Sequence, residues 1–219
     1  MSSKEGSRLA WAWLGRRGYR EVWELQEALR ARVIAGDADA ERLLFVEHPP
    51  TITLGRAASE SDILAPGDAE VVRSSRGGAV TAHGPGQLVI YPVVRLRGGI
   101  VQHLETIAGA LISEVAARGV AGATWRRDPV GVFVGAKKLA ACGVHVSRRV
   151  AIHGFALNVT VDSERAFASI VPCGVRGAEV TSIERAIDRS PPELATIASS
   201  IAGRLARAWR STAILDATI

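Results

Sequence analysis

Residues 130–159 read VGVFVGAKKLAACGVHVSRRVAIHGFALNV and predict three consecutive β-strands, at 130–134, 138–146 and 150–159. Apolar and β-branched residues dominate each run, and short glycine-containing or charged segments separate the runs. Strands joined by such short connections pair with antiparallel neighbours. We therefore expect this stretch to form part of a largely antiparallel sheet.

The remaining elements follow from apolar alternation for strands and from apolar spacings of three and four for helices. The predicted strands are 9–14, 43–47, 51–54, 70–73 and 88–94, and the predicted helices run from 19 to about 34, from about 101 to 117, and from a capping pattern at 190–193 through 209. Strands outnumber helices, and no repeat or linker interrupts the chain. This pattern predicts one α+β domain over residues 1–219, a mixed and largely antiparallel sheet with helices packed on it, in which residues 1–8 are flexible.

Composition narrows the class of protein. The chain has 219 residues, of which 47% are hydrophobic and 22% charged, as in soluble globular proteins. The sequence shows no membrane-length apolar run and no apolar signal core. Two cysteines fit a reducing cytosol better than a disulfide framework. We therefore expect a cytoplasmic protein that does not bind membranes.

The charge of the chain leaves two readings open. A net charge of +5 is compatible with nucleic acid, but dense basic tracts with interleaved aromatic residues are missing from the sequence. A basic surface also attracts acidic protein partners. We expect no nucleic-acid partner.

Lysine is scarce in this chain. Of the 27 basic residues only Lys4, Lys137 and Lys138 are lysine, and the other 24 are arginine. Lysine can change its protonation state when buried, whereas arginine cannot. The pair at 137–138 therefore suggests a requirement for lysine, although chance adjacency at a strand end also explains it. Neighbouring side chains on a strand face opposite sides, so only one of the two can point at a given site.

Residues 76–87 contain four glycines and a proline between two strands. Glycine lets the backbone approach a ligand closely and offer its N–H groups. The segment lacks the Gly-Lys-Ser/Thr ending of a phosphate-binding loop. It is therefore either a long hairpin connection or a substrate-binding wall, with Arg76 and His83 as its polar groups.

The strands at 138–146 and 150–159 supply further candidates. Ala140, Ala141 and Gly143 leave room on a strand face for an apolar chain, and Gly154 marks a possible close approach of a ligand. His153 suits a hydrogen-bonded structural role better than a ligand-binding one, and His145 is expected on an exposed face without a role. The histidines and cysteines show no metal-binding spacing, so we expect no metal.

Cys173 lies between Pro172 and Gly174, a combination typical of a turn with little side-chain cover. A small hydrophobic residue that fills a loop is the plainer interpretation of a single cysteine. The alternative is a nucleophile, since a nearby cation lowers the pKa of a thiol and lysine can carry its proton. Lys138 lies 35 residues upstream, a separation that permits contact.

Five segments taken together resemble one family. They are 44–56 (LFVEHPPTITLGR), 76–92, 138–143, 154–159 and 172–183. Their order and spacing are similar to those of the lipoyl(octanoyl) transferases, over about residues 9–183. The resemblance implies a fold shared with biotin–protein and lipoate–protein ligases.

The resemblance also implies an activity. The enzyme would move an octanoyl group from octanoyl-acyl carrier protein onto a lysine of lipoyl domains, in 2-oxoacid dehydrogenase subunits and the glycine-cleavage H protein, without a cofactor. Cys173 would hold the acyl group as a thioester, and Lys138 would lower the thiol pKa and relay protons. The acyl pocket would be lined by Arg76, Gly77, Gly78, Ala79, Val80, Thr81, Ala82, His83, Ala141, Cys142, Gly143, Gly154, Phe155 and Ala156. Backbone N–H groups near Gly77, Gly78 or Gly174 are candidate oxyanion donors.

Two residues depart from the family pattern. Ala82 stands where an aromatic residue is usual, and Cys142 where an aliphatic one is usual, so either could change the shape of the pocket. Two rival functions stay open: an ATP-dependent lipoate or biotin ligase of the same fold, and a non-catalytic module that binds through its basic surface.

Overall fold

The structure is a computed structural model that describes residues 7–171 and 178–219. Within these ranges the strands are β1 (Ser7–Arg16), β2 (Arg42–Glu47), β3 (Thr51–Leu54), β4 (Glu70–Arg73), β5 (Val80–His83), β6 (Gln87–Arg95), β7 (Ala123–Arg127), β8 (Val130–Val134), β9 (Lys137–Ser147), β10 (Val150–Asn158) and β11 (Ser211–Leu215). The helices are α1 (Tyr19–Ile34), α2 (Ile100–Ala117), α3 (Asp162–Arg165), α4 (Ile183–Ile187) and α5 (Leu194–Ala208). Short 3₁₀ turns occupy Ala38–Ala40, Glu60–Asp62 and Ala166–Ser169.

The strands form two sheets. The larger has the order β11-β1-β2-β6-β10-β9-β8-β7, and the smaller has the order β4-β3-β5. Strand β1 pairs in parallel with β11 and β2, and the other pairs of the large sheet are antiparallel. The predicted α+β fold with a mixed, largely antiparallel sheet is confirmed.

Alternate residues of the central strands serve two different cores. On β6, Leu88 and Ile90 pack with α2 and α5, whereas Val89 and Tyr91 pack with α1. Because both faces of the sheet are covered, β6 is a continuous apolar run whose alternation is invisible in the sequence. A third core, which includes Ile52, Val80 and Phe167, lies between the small sheet and the 3₁₀ turn at Ala166–Ser169.

The structure corrects several sequence predictions. Helix α5 begins at Leu194, and its N-cap Glu193 makes no side-chain capping bond. The predicted start at Ser190 is wrong, because a residue that precedes proline avoids the helical region. Ser7 and Arg8 belong to β1 and pair with β11, so the predicted flexible segment does not extend to them. Residues 1–6 lie outside the described part.

Across the described ranges, every helix is too short or too polar to cross a membrane.

Glu114 ties α2 to α5 through a buried ion cluster. Its side chain is 1% exposed and accepts hydrogen bonds from Arg118 Nε (2.7 Å), Ser200 Oγ (2.5 Å) and Arg204 Nε (2.7 Å). Burial alone would raise the pKa of Glu114, but these three donors hold it below its ordinary value. The carboxylate is therefore charged in the folded protein.

Removing this charge is expected to destabilise the fold. Glu114→Gln should lower the free energy of unfolding by about 3 kcal/mol, because it leaves Arg118 and Arg204 without their carboxylate. Urea denaturation at pH 7.5 measures the loss. Glu60→Gln, which breaks the exposed 2.9 Å pair with Arg73, is the matched control and should cost at most about 0.5 kcal/mol. Equal losses in the two variants would contradict this account of the cluster.

Candidate active site

A narrow cleft lies between the α1 face of the large sheet and the segment around β5. It contains about 320 Å³ of space not filled by protein atoms, part of which is open to solvent. Its lining residues are Tyr19, Arg76, Thr81, His83, Val89, Tyr91, Ala141, Cys142, Gly143, His153, Gly154, Phe155 and Ala156.

Glycines bring the walls of the cleft together. A Cβ atom on Gly143 would lie 2.8 Å from the carbonyl oxygen of Gly77, and one on Gly55 would lie 2.3 Å from that of Gly78. The N–H of Gly77 donates to the carbonyl of Val144 at 2.9 Å. The glycine-rich segment therefore packs directly on β9, and its Arg76, Thr81 and His83 line the cleft.

Three polar side chains of the cleft bond to residues outside its lining. Tyr19 Oη bonds to Ser74 Oγ (2.8 Å), Tyr91 Oη to His48 Nε2 (2.9 Å), and His83 Nδ1 to Gln87 Oε1 (2.7 Å). These polar atoms therefore already have partners within the protein. Tyr19 stacks on His83 with centroids 5.8 Å apart. Such walls suit an apolar ligand.

Burial keeps the histidines of this region uncharged. Desolvation lowers the pKa of His48 to about 4 and that of His83 and of His153 to about 3. Their ordinary value is near 6.5. At neutral pH these rings therefore add no charge to the wall of the cleft.

Arg76 is the buried cation of the cleft, with 6% of its surface exposed. It donates to the Thr53 side chain (Nε, 3.0 Å), to the Thr53 carbonyl (Nη2, 2.6 Å) and to the carbonyl of Gly77 (Nη1, 3.0 Å). The guanidinium thus fixes the glycine-rich segment to β3.

The sequence candidates separate into two groups in the structure. Arg76, Thr81, His83, Ala141, Cys142, Gly143, Gly154, Phe155 and Ala156 come together around the cleft. Val80 and Ala82 do not line it: they alternate with Thr81 and His83 along β5 and pack into the third core. Gly77 and Gly78 cover β9 without lining the cleft, and Ala79 also lies outside the lining.

Two further expectations change with this placement. Ala82 lies in another core, so its departure from the family pattern does not alter the cleft wall directly. The N–H of Gly77 is already donated to Val144, which removes it as a candidate oxyanion donor. Gly174 lies outside the described residues.

Lys138 is turned toward the cleft side of the sheet by an irregularity in β9. Val132 pairs with Ala140 but Phe133 pairs with Lys138, so Leu139 is an extra residue. Leu139 and Ala140 both enter the α2–α5 core. The side chain of Lys138 consequently projects from the opposite face of the sheet, where Ala141 and the cleft lie.

The two adjacent lysines occupy different environments. Lys138 is 7% exposed, and its Nζ lies 5.3 Å from the centroid of the Phe133 ring. Lys137 is on the surface, where its side chain is 46% exposed and pairs with Glu179 at 3.2 Å. Alternation along β9 separates the pair, as the sequence predicts, and buries Lys138.

The described residues on both sides of 172–177 are fixed near this lysine and the small sheet. Before the gap, the Val171 N–H donates to the Asp62 carbonyl at 2.7 Å. After it, the Lys138 N–H donates to the Glu179 carbonyl, and the Thr181 N–H donates to the Lys138 carbonyl, both at 2.9 Å. The predicted nucleophile Cys173 lies outside the described residues.

Cys142 lines the cleft but has the properties of an inert thiol. Burial raises its pKa to about 12, even though Lys138 and Arg76 act to lower it. A thiol reacts as its thiolate, so Cys142 stays protonated and unreactive near neutral pH.

Sequence reasoning missed Tyr19, Val89, Tyr91 and His153 as lining residues. Tyr19 precedes Val22 by three residues and so continues the apolar stripe of α1, a signal that was available. The sequence predicts a hydrogen-bonded role for His153, and its Nε2 does lie 3.1 Å from Ser75 Oγ, but the residue also lines the cleft.

In the described part of the chain, no group of three or more His, Cys, Asp or Glu side chains is arranged so that it could hold a metal ion.

The neutral histidines predict an acid-sensitive fold. Because the folded-state pKa values of His48, His83 and His153 lie below those of the unfolded chain, the unfolded state binds more protons below about pH 6.5. These three rings should therefore lower the free energy of unfolding by about 5 kcal/mol between pH 6.5 and pH 5, above the range where carboxylates titrate. Urea denaturation across this window tests the prediction, and His83→Gln should make the fall smaller. Stability that is constant from pH 7.5 to 5 would contradict it.

Comparison with known proteins defines the class of this fold and cleft. Residues 18–205 match the model of the lipoyl protein ligase A/B catalytic domain family. A lipoate-protein ligase A bound with ATP has a TM-score of 0.73 at 14% identity, with 96% of this chain and 88% of that chain covered. A biotin protein ligase from Leishmania major has a TM-score of 0.53 at 17% identity, with 94% and 76% covered. At these identities the two structures establish the shared fold.

Sequence relatives are more specific. An octanoyltransferase of Geobacter metallireducens is 43% identical over 87% of this chain and 89% of its own length. The octanoyltransferase of Xylella fastidiosa is 40% identical over 89% and 83%. The chain therefore belongs to the octanoyltransferases of the lipoyl protein ligase A/B catalytic domain family and is an acyltransferase enzyme. A non-catalytic binding module is thereby set aside.

Proposed function

We propose that the protein transfers an octanoyl group from octanoyl-acyl carrier protein, through a thioester on Cys173, to a specific lysine of lipoyl-domain proteins in lipoate biosynthesis. The observation that carries the proposal is the narrow, ring-walled cleft that runs along β9 on the same face of the sheet as buried Lys138.

The chemistry of the cleft supports an acyl ligand. Its tyrosine and histidine side chains are uncharged at neutral pH, and several of their polar atoms are bonded to residues outside the cleft lining. Ala141, Gly143, Gly154 and Ala156 keep the floor flat. An apolar chain placed here loses contact with water and leaves these hydrogen bonds intact.

The position of Lys138 supports its role beside Cys173. Glu179 and Thr181 hydrogen-bond to the two backbone groups of Lys138, and Val171 bonds to Asp62. Cys173 is two residues beyond Val171 in sequence. We propose that the Lys138 ammonium lowers the pKa of the Cys173 thiol, as nearby cations do.

In the first half-reaction, the Cys173 thiolate attacks the thioester carbonyl of the donor. A new carbon–sulfur bond forms at Cys173, the bond to the pantetheine sulfur breaks, and Lys138 protonates the departing thiolate. The products are the acyl-enzyme and the free thiol of the carrier protein. No ATP is required, because the donor is already a thioester.

In the second half-reaction, the ε-amine of the acceptor lysine attacks the carbonyl of the acyl-enzyme. The bond to the Cys173 sulfur breaks, the amide forms, and the neutral Lys138 amine takes the proton lost by the acceptor nitrogen. This step restores the thiolate and the ammonium. Each tetrahedral intermediate needs oxyanion donors, for which Gly78 and Gly174 stay as candidates.

The proposed partners fit the charge of the enzyme. Acyl carrier protein and the lipoyl domains of 2-oxoacid dehydrogenase subunits and the glycine-cleavage H protein are expected to be acidic, and this chain has a net charge of +5. Opposite charge accelerates the encounter of two proteins at low salt. We place the reaction in the cytoplasm, where these substrates would occur.

A transfer assay without ATP tests the proposal. Purified enzyme, octanoyl-acyl carrier protein and an unmodified lipoyl domain are mixed, and the mass of the lipoyl domain is followed. We expect the domain to gain one octanoyl group. Labelling that requires ATP and free octanoate or lipoate would support the rival ligase activity and overturn the proposal.

A further inference from the structure

The cleft ends at one level across three strands. Its lining residues stop at Tyr91 on β6, at Gly143 on β9 and at His153 on β10. Ala156 lies at the end of the cleft nearer Lys138. Three residues of strand, or about 10 Å, separate it from His153. An extended eight-carbon chain, with seven C–C bonds of about 1.5 Å set at an angle, is about 9 Å long.

The backbone of His153 is held in an unusual conformation. Its φ is 58°, a value that residues other than glycine seldom adopt. Its N–H donates to Gln26 Oε1 of α1 at 2.8 Å. The next residue, Gly154, lies beside Pro92, which has no N–H. A Cβ on Gly154 would be 2.9 Å from Pro92 Cδ. The strand is thus distorted at the point where the cleft ends.

The ring of His153 is fixed on several sides. It lies parallel to Tyr19 with centroids 6.5 Å apart, it tilts against Trp23 at 5.9 Å, and its Nε2 lies 3.1 Å from Ser75 Oγ. The residue is 1% exposed. Within residues 7–171 and 178–219, its Nδ1 has no hydrogen-bond partner. The octanoyl-transfer chemistry proposed above makes no use of this side chain.

We propose that His153 is the end stop of the acyl pocket and limits the bound chain to about eight carbons. This inference rests on the proposed function, which puts the reacting carbonyl at the Lys138 end. Each pair of added carbons lengthens the chain by about 2.5 Å. A longer chain must displace the ring from its packed position or fold back within a narrow cleft. His153 thus determines specificity and takes no part in the chemistry.

The variant His153→Gly tests the end stop. Glycine adopts a φ of 58° without strain and removes both the ring and its unpartnered nitrogen. Initial rates of acyl-enzyme formation are measured with hexanoyl-, octanoyl-, decanoyl- and dodecanoyl-acyl carrier protein. In the wild type we expect octanoyl to exceed decanoyl by at least about tenfold, and in the variant we expect this ratio to approach one. A ratio that the substitution leaves unchanged would overturn the proposal.

A matched variant and a binding measurement separate the possible failures. His145→Gly removes a histidine outside the cleft, where its Nδ1 contacts Arg30 at 3.3 Å, and should keep the wild-type ratio. Calorimetric affinities for octanoate and decanoate do not depend on Cys173. If no donor acylates the wild type, the proposed function fails, but His153→Gly must still improve decanoate binding relative to octanoate by about tenfold. Unchanged relative affinities would reject the end stop in that case as well.

Discussion

Replacing Cys173 by alanine is expected to abolish octanoyl transfer. Without its nucleophile the enzyme cannot form the covalent intermediate, and we expect the rate to fall by on the order of 10⁴-fold or more. The rate of octanoyl gain by an acceptor lipoyl domain, followed by mass spectrometry, measures the loss. Residual transfer at more than a few percent of the wild-type rate would contradict the nucleophile assignment.

Cys142→Ala is the control for this substitution. Cys142 lines the cleft, but burial raises its pKa to about 12 and keeps it protonated. Its removal should therefore leave the acyl-enzyme intact and change the rate by less than about tenfold, through packing alone. If Cys142→Ala lost the acyl adduct and Cys173→Ala kept it, Cys142 would be the nucleophile and Cys173 would not.

Lys138→Met is expected to slow acylation by about 10²- to 10⁴-fold, the usual contribution of a positioned acid–base group. Methionine keeps much of the alkyl stem beside Phe133 and removes only the ammonium. Without the cation, the thiol pKa should rise. The pH profile of Cys173 alkylation by iodoacetamide, measured in the Cys142→Ala background, should therefore move to higher pH. A slower rate with an unchanged alkylation profile would indicate that Lys138 does not activate the thiol.

Lys137→Met is the matched control. Lys137 is next in sequence, carries the same charge and pairs on the surface with Glu179 at 3.2 Å. We expect a rate within about twofold of the wild type, because an exposed pair contributes little. The reverse ranking of the two variants would mean that the register of β9 is wrong.

Much of the fold could be predicted from local pattern. The helix predicted from Tyr19 to about Ile34 matches α1, and the strands predicted at 51–54, 70–73 and 130–134 match β3, β4 and β8. These segments have regular apolar periods and are bounded by glycine, proline or charged residues. The resemblance to one family joined them into the correct fold.

The missed elements lack such signals. Strand β7 contains two arginines and one tryptophan in five residues, and it is held by pairing with β8. Strand β11 forms a parallel pair with β1, about 200 residues away in the chain. Pairing over such a separation leaves no trace in a short window of sequence, because it is the tertiary partner that selects the strand.

Residues of the candidate site could be predicted from the sequence, but their arrangement could be predicted only incompletely. The scarcity of lysine points to Lys138, but the extra residue at Leu139 that turns it toward the cleft depends on pairing with β8. The family resemblance implies that Val80 and Ala82 line the pocket, together with the rest of residues 76–83. The end of this segment is strand β5, where alternation sends these two residues into another core.

Formation of an acyl-enzyme at Cys173 is the most direct test of the proposed mechanism. Enzyme mixed with octanoyl-acyl carrier protein, in the absence of ATP and acceptor, should gain the mass of one octanoyl group. Hydroxylamine should remove the adduct, and peptide mapping should assign it to Cys173. An unmodified mass, or an adduct that persists in Cys173→Ala, would contradict the central claim.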